Sequence, residues 1–134
     1  MSLLMTRTHE IPPLAIEVRQ VGAVTLLFLR GDLIFGPAAD ALRERVEELL
    51  DNGCAVLVLD LHQLSRLDSV GVGTLIDVAS IARRAGTALH LLEPSAPARA
   101  VLALLNLQRR PDLLPILSDR EKALAALAGT PLPA

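Results

Sequence analysis

The sequence predicts an α/β domain: a mixed sheet with amphipathic helices packed on it. Three observations carry that expectation. Short β-compatible apolar runs, Val24 to Leu29, Ala55 to Leu61 and Thr87 to Leu92, alternate with segments whose apolar residues recur at helical spacing. Residues that start or stop helices stand at the junctions: Gly36-Pro37, Asn52-Gly53, Asp68-Ser69, Ala85-Gly86 and Ser95. The chain has 134 residues, 51% of them apolar, which is enough to bury one sizeable core.

Residues 1–14 read as an irregular leader, 15–128 as a single domain and 129–134 as a Pro-containing tail. The leader has no basic start followed by an apolar block, so it does not read as a signal peptide. Ala15 to Gln20 alternates apolar and polar residues, as a half-buried strand does, and Val21-Gly22-Ala23 suggests a turn. Val24 to Leu29 is nearly all apolar, as expected of a strand buried on both faces, with Gly31-Asp32 as its end.

Pro37 suits the first turn of a helix whose stripe is Leu42, Val46, Leu49 and Leu50, with Asp40, Arg43, Glu44, Glu47 and Glu48 on a solvated face. Asn52-Gly53 stops it. Ala55 to Leu61 is the most continuous apolar run and therefore the expected central strand. His62 to Arg66 reads as a polar link into a second helix, which starts near Ser69 and ends near Gly86. Thr87 to Leu92 follows as a strand. Ser95 is placed to cap a third helix with the stripe Ala98, Val101, Leu102 and Leu105. Gln108 to Asp112 is a polar loop. Leu113 to Leu117 suits only an edge strand, because Pro115 has no N–H for a central ladder. Ser118-Asp119-Arg120-Glu121 has the spacing of a capping box for a last helix reaching about Ala128.

Composition removes several classes of function. Lys and Arg total 13 against 15 Asp and Glu, a formal charge of −2, which is not the basic footprint of a nucleic-acid binder. With no Trp or Tyr and only Phe28 and Phe35, no platform for stacking bases can be built. No apolar run approaches bilayer-spanning length, so direct membrane insertion is not expected. Cys54 is alone, which rules out an internal disulfide and fits a cytoplasmic location. No H-x-x-x-H or C-x-x-C spacing offers a metal site, and no cofactor is expected.

The chemistry concentrates at Leu67-Asp68-Ser69-Val70-Gly71-Val72-Gly73. Asp68 and Ser69 are both preferred cap residues, because their side-chain oxygens accept backbone N–H groups that lack a partner at a helix start. A plain structural cap is one reading of the pair. The other is an exposed hydroxyl, on a rigid element, in the positive field of a helix end. A phosphate there would add roughly −1.5 to −2 charges yet be tolerated by the free N–H groups and the dipole. The fold would survive, while a protein docked on that surface would meet new charge and bulk, with Asp68 adding repulsion. Gly71 and Gly73 each cost about 1 kcal/mol relative to Ala inside a helix. Close approach of a partner to Gly71 and of the sheet to Gly73 would offset this; a frayed first turn is the alternative.

Enzymatic readings fit less well. A nucleophile elbow needs glycine two residues before the serine, and Leu67 stands there. The histidines are His9 in the leader, His62 in a loop and His90 within a strand, so a small serine hydrolase using Ser69 lacks an evident base. Gly71 and Gly73 begin G-x-G-x-x-G, but Ile76 replaces the last glycine.

Asp68-Ser69-x-Gly71-x-Gly73 after an apolar strand resembles the STAS domain family, specifically the anti-sigma factor antagonists of bacteria. Gly31-Asp32-Leu33, Val56 to Leu61 and the Leu113 to Leu127 region match further parts of the pattern, so the resemblance covers about Ala15 to Ala128. It implies a four- or five-stranded mixed sheet with about four helices, packed mainly on one face. It also implies a signal-transduction switch in transcription regulation. The unphosphorylated antagonist binds an anti-sigma factor that is a serine kinase. That kinase uses its own ATP to phosphorylate the serine matching Ser69, and a phosphatase resets it. From their neighbourhood in the sequence, Asp68, Val70, Gly71, Gly73, Asp32, Ile34, Phe35 and Arg66 are the candidate partner surface, with Phe35 equally a candidate for the core. Val70 replaces a small polar residue common in the family and Ile34 an acidic one, so this surface is more apolar than usual. A STAS adaptor module in a stress-signalling or transporter-associated complex, without phosphorylation, is the alternative within the family.

Overall fold

The structure, a computed structural model, describes residues 13–127. The expected leader up to Pro12, the tail and Ala128 therefore lie outside the described residues. The elements are β1 (Leu14–Val21), β2 (Val24–Leu33), α1 (Pro37–Asp51), β3 (Val56–Leu67), α2 (Ser69–Arg84), β4 (Ala88–Leu92), α3 (Ala96–Leu104), a 3-10 turn (Leu107–Arg109), β5 (Ile116–Leu117) and α4 (Arg120–Leu127). The five strands lie in chain order, β1-β2-β3-β4-β5. β1 pairs antiparallel with β2, and the other neighbours pair in parallel. The fold class is thus the mixed α/β sheet that the sequence predicts, with β3 at its centre.

Alternation along the strands sorts the core into two faces. Leu27 and Leu29 of β2, Leu57, Leu59 and Leu61 of β3, and Leu89 and Leu91 of β4 join Leu42 and Val46 of α1, Leu75 and Val78 of α2, and Ala98 and Leu102 of α3 in the main cluster. On the opposite face, Val24, Leu26, Val58 and Leu92 pack with Ala123 of α4. Among the described residues, helices therefore crowd one face, and the other carries only α4.

Two strands are longer than the sequence pattern indicates. β2 does not end at Gly31-Asp32 but runs through it to Leu33. Gly31 has φ 109, and a Cβ there would lie 2.2 Å from the Pro13 carbonyl oxygen, so glycine is what lets the strand continue past β1. Likewise, His62 to Arg66 is not a link but the second half of β3. Phe28 pairs with Asp60 but Arg30 with Gln63, and Gly31 pairs with Leu64 but Asp32 with Arg66. Each step inserts one extra residue into β3. Such bulges break the two-residue period, leaving the buried leucines at 61, 64 and 67.

Smaller differences occur at helix ends. Leu105 is the C-cap of α3 and half exposed rather than part of its buried stripe. Asp119, not Ser118, caps α4, its Oδ1 accepting the Lys122 N–H at 3.0 Å.

Candidate functional site

The site forms where β2 and β3 deliver their C-terminal ends to the starts of α1 and α2. Asp68 has extended backbone and is the N-cap of α2; Ser69 is its first residue. The Asp68 carboxylate has two tasks. Its Oδ1 accepts the Gly71 N–H at 2.8 Å, satisfying the helix start, and its Oδ2 accepts the Phe35 N–H at 2.9 Å, tying down the β2–α1 loop. Partial desolvation disfavours the charged form, but the N–H groups of Phe35, Gly71 and Val70 outweigh it and hold this carboxyl below its usual range.

A carboxyl depressed in the folded state contributes its full stability above the unfolded value, about pH 4, and loses it as pH falls through the lower folded value. Acid unfolding of Asp68→Asn is expected to lack this component while neutral-pH unfolding shows a lost cap. Identical acid sensitivity in the two proteins would exclude the role.

The Ser69 side chain is exposed. Beside it the apolar residues are also outward: Phe35 is 78% exposed and Val70 41%, with Ile34 half-buried. Arg66 reaches across from β3 to β2, its guanidinium on Asp32 Oδ2 at 2.8 and 3.1 Å. That hydrogen bond and charge raise the Arg66 pKa, with Asp68 contributing. The expected residues Asp32, Ile34, Phe35, Arg66, Asp68, Ser69 and Val70 thus all lie at these two junctions.

The two glycines exchange roles relative to the expectation. Gly71 is buried against the sheet, where a Cβ would lie 2.1 Å from the Leu33 carbonyl oxygen. It cannot be a surface that a partner approaches. Gly73 is the exposed one, and a Cβ there would meet nothing within 4 Å. Helical periodicity alone does not say which of two glycines in one turn faces the sheet.

The described histidines, His62 and His90, stand apart from Ser69. His62 Nδ1 lies 2.7 Å from Asp60 Oδ1 and 2.7 Å from the Arg120 guanidinium. His90 sits half-buried in β4 with Nδ1 unpartnered, and desolvation lowers its pKa. Neither ring is hydrogen-bonded to Ser69, so no Ser-His pair assembles among the described residues. The Asp60–His62–Arg120 cluster escaped sequence reading, because Arg120 is 60 residues from Asp60 and joins it only through the tertiary fold.

The fold and this junction define a class of protein: a small α/β domain that presents one hydroxyl at a helix start beside exposed apolar side chains. The chain belongs to the STAS domain family, whose model matches residues 15–123. Solved structures share the fold. The anti-sigma factor antagonist SpoIIAA in its unphosphorylated form is 21% identical over 86% of this chain and 97% of its own, with a TM-score of 0.67. An anti-sigma factor antagonist from Mycobacterium paratuberculosis is 20% identical, covering 84% and 92%, with a TM-score of 0.69. A putative antagonist from Thermotoga maritima is 23% identical, covering 81% and 91%, with a TM-score of 0.70. No curated protein matches the sequence significantly. Among the described residues, no helix is long and apolar enough to cross a membrane.

Proposed function

We propose that this protein is a cytoplasmic anti-sigma factor antagonist that docks an anti-sigma factor serine kinase through the surface around Ser69. Phosphorylation of Ser69 releases that partner, and a phosphatase restores binding. The observation that carries the reading is the exposed Ser69 at the first position of α2, with Phe35 and Val70 exposed beside it. A desolvated apolar contact tolerates no added dianion, whereas the helix N-terminus does. The fold's likeness to SpoIIAA, which is known in unphosphorylated and phosphorylated forms, supports the reading.

Incubation with the anti-sigma factor kinase of the same cell and ATP, followed by mass spectrometry, should place one phosphate on Ser69 and none on Ser69→Ala. Ser69→Asp is expected to weaken partner binding about tenfold or more, with an unchanged thermal midpoint. A loss of stability matching the loss of binding would make Ser69 a structural residue. Phosphate found only elsewhere, with binding intact, would favour the adaptor reading. The fold also occurs as a module of larger chains: SLC26A9 aligns with 98% of this chain over 26% of its own, at 14% identity and a TM-score of 0.64.

A further inference from the structure

Among the described residues, the sheet face opposite α1, α2 and α3 is only partly covered by α4, and its β1–β3 side holds a cleft of ≈ 260 Å³ lined by Glu17, Arg19, Phe28, Arg30, His62 and Gln63. Register explains how these residues meet. Glu17 stands opposite Phe28, Arg30 opposite Gln63, and Ile16 and Val18 turn the other way into the main core. Consecutive residues of a regular strand point to opposite faces, yet His62 and Gln63 both line the cleft. The bulge between the Phe28 and Arg30 pairings makes this possible, as bulges re-aim side chains.

The charges of the cleft are unbalanced. Arg19 is spent on Glu17 at 2.9 Å and lies over the Phe28 ring, 5.4 Å from its centroid. Arg30 is exposed and, among the described residues, has no carboxylate within ion-pair distance. Arg120 on the neighbouring helix is held by Asp60 and Glu93, each at 2.6 Å. Because Nδ1 of His62 faces Asp60 and Arg120, Nε2 is the ring nitrogen left for a ligand. A guanidinium with no carboxylate partner among the described residues, a ring nitrogen and a carboxamide therefore line one concave surface.

We propose that this cleft binds a small oxyanion, held by Arg30 and His62 beside the ring of Phe28. The planar fork of Arg30 supplies paired N–H donors, the geometry that carboxylate and phosphate oxygens accept. The site lies on β3 ahead of Asp68 and Ser69, on a different surface from the Phe35 and Val70 patch. It stands independently of the phosphorylation switch.

Inorganic phosphate is the probe. Titrated into the full chain under NMR observation, it should move the Arg30 Nε–H and His62 ring resonances along one saturable curve. In Arg30→Gln the affinity should fall at least tenfold with the thermal midpoint unchanged, while Arg83→Gln, in a separate cleft, should bind as the parent does. Unsaturable shifts spread over all exposed arginines would overturn the proposal. So would equal affinity in Arg30→Gln. If Arg30→Gln fails to fold, His62→Gln serves as the second variant: loss of the Arg30 shift supports the site, and an unchanged titration overturns it.

Discussion

Gly71→Ala is expected to destabilise the domain by about 3 kcal/mol or more, whereas Gly73→Ala, two residues on, should be neutral or gain up to about 1 kcal/mol. Both glycines lie in the first turns of α2, and neither has a left-handed backbone. What separates them is the neighbour. A methyl group at Gly71 meets the Leu33 carbonyl at 2.1 Å and the Leu67 side chain at 2.8 Å, and the first is backbone at the end of a paired strand. Accommodating it means backing α2 away from β2, which disturbs the Asp68 bonds to Gly71 and Phe35 as well. A methyl group at Gly73 enters open space and removes only the entropic cost of glycine. Urea unfolding of the two variants checks the difference, and equal midpoints would show that the close approach is relieved without cost. The pair also separates folding from docking. If the partner lies against α2, Gly73→Ala is the variant that weakens binding in a domain at least as stable as the parent.

Arg120→Ala is expected to cost about 3 kcal/mol, because it leaves a carboxylate buried without its cation. The Asp60 side chain is 0% exposed at the centre of the sheet, and Arg120 donates to its Oδ2 at 2.6 Å. The backbone N–H of His62 donates to Oδ1 at 3.1 Å, which offsets part of the loss but supplies no full charge. α4 should loosen as well. Among its described side chains, Ala123 is buried on the sheet and Arg120 carries the ion pairs to Asp60 and Glu93. Hydrogen exchange across residues 120–127 should rise in the variant while α1 and α2 keep their protection. Asp60→Asn/Arg120→Met is the informative double variant: with the charge removed along with its partner, much of the stability should return. A loss below about 1 kcal/mol in Arg120→Ala would mean that His62 and water satisfy Asp60 unaided.

Much of this architecture is legible in the chain itself because it rests on local chemistry. The run Ala55 to Leu61 reads as central since only a doubly covered strand tolerates apolar residues on both faces, and its residues from Val56 onward form the first half of β3. Ser95 caps α3 by accepting the Ala98 N–H at 3.3 Å, as its residue type and position indicate. The capping aspartate before Ser69 is likewise local, since its carboxylate accepts an N–H that the helix start leaves without a partner. Where the reading falls short, a distant segment intervenes. β3 continues to Leu67 because β2 offers it a partner, and the two bulges that accommodate the pairing erase its alternation. Phe35 is exposed rather than in the core, in a loop whose backbone is tied to the Asp68 carboxylate 33 positions away.

Local sequence, then, determined the order of strands and helices and the caps at Asp68 and Ser95, and with them the place of Ser69 at a helix start. The tertiary structure decided which neighbours those elements acquired. It set Gly71 rather than Gly73 against the sheet, bound Asp60 to Arg120, and turned His62 and Gln63 together toward Arg30. Each of these depends on how close two separately specified segments come. That distance is fixed by packing across the sheet rather than by any pattern within one segment.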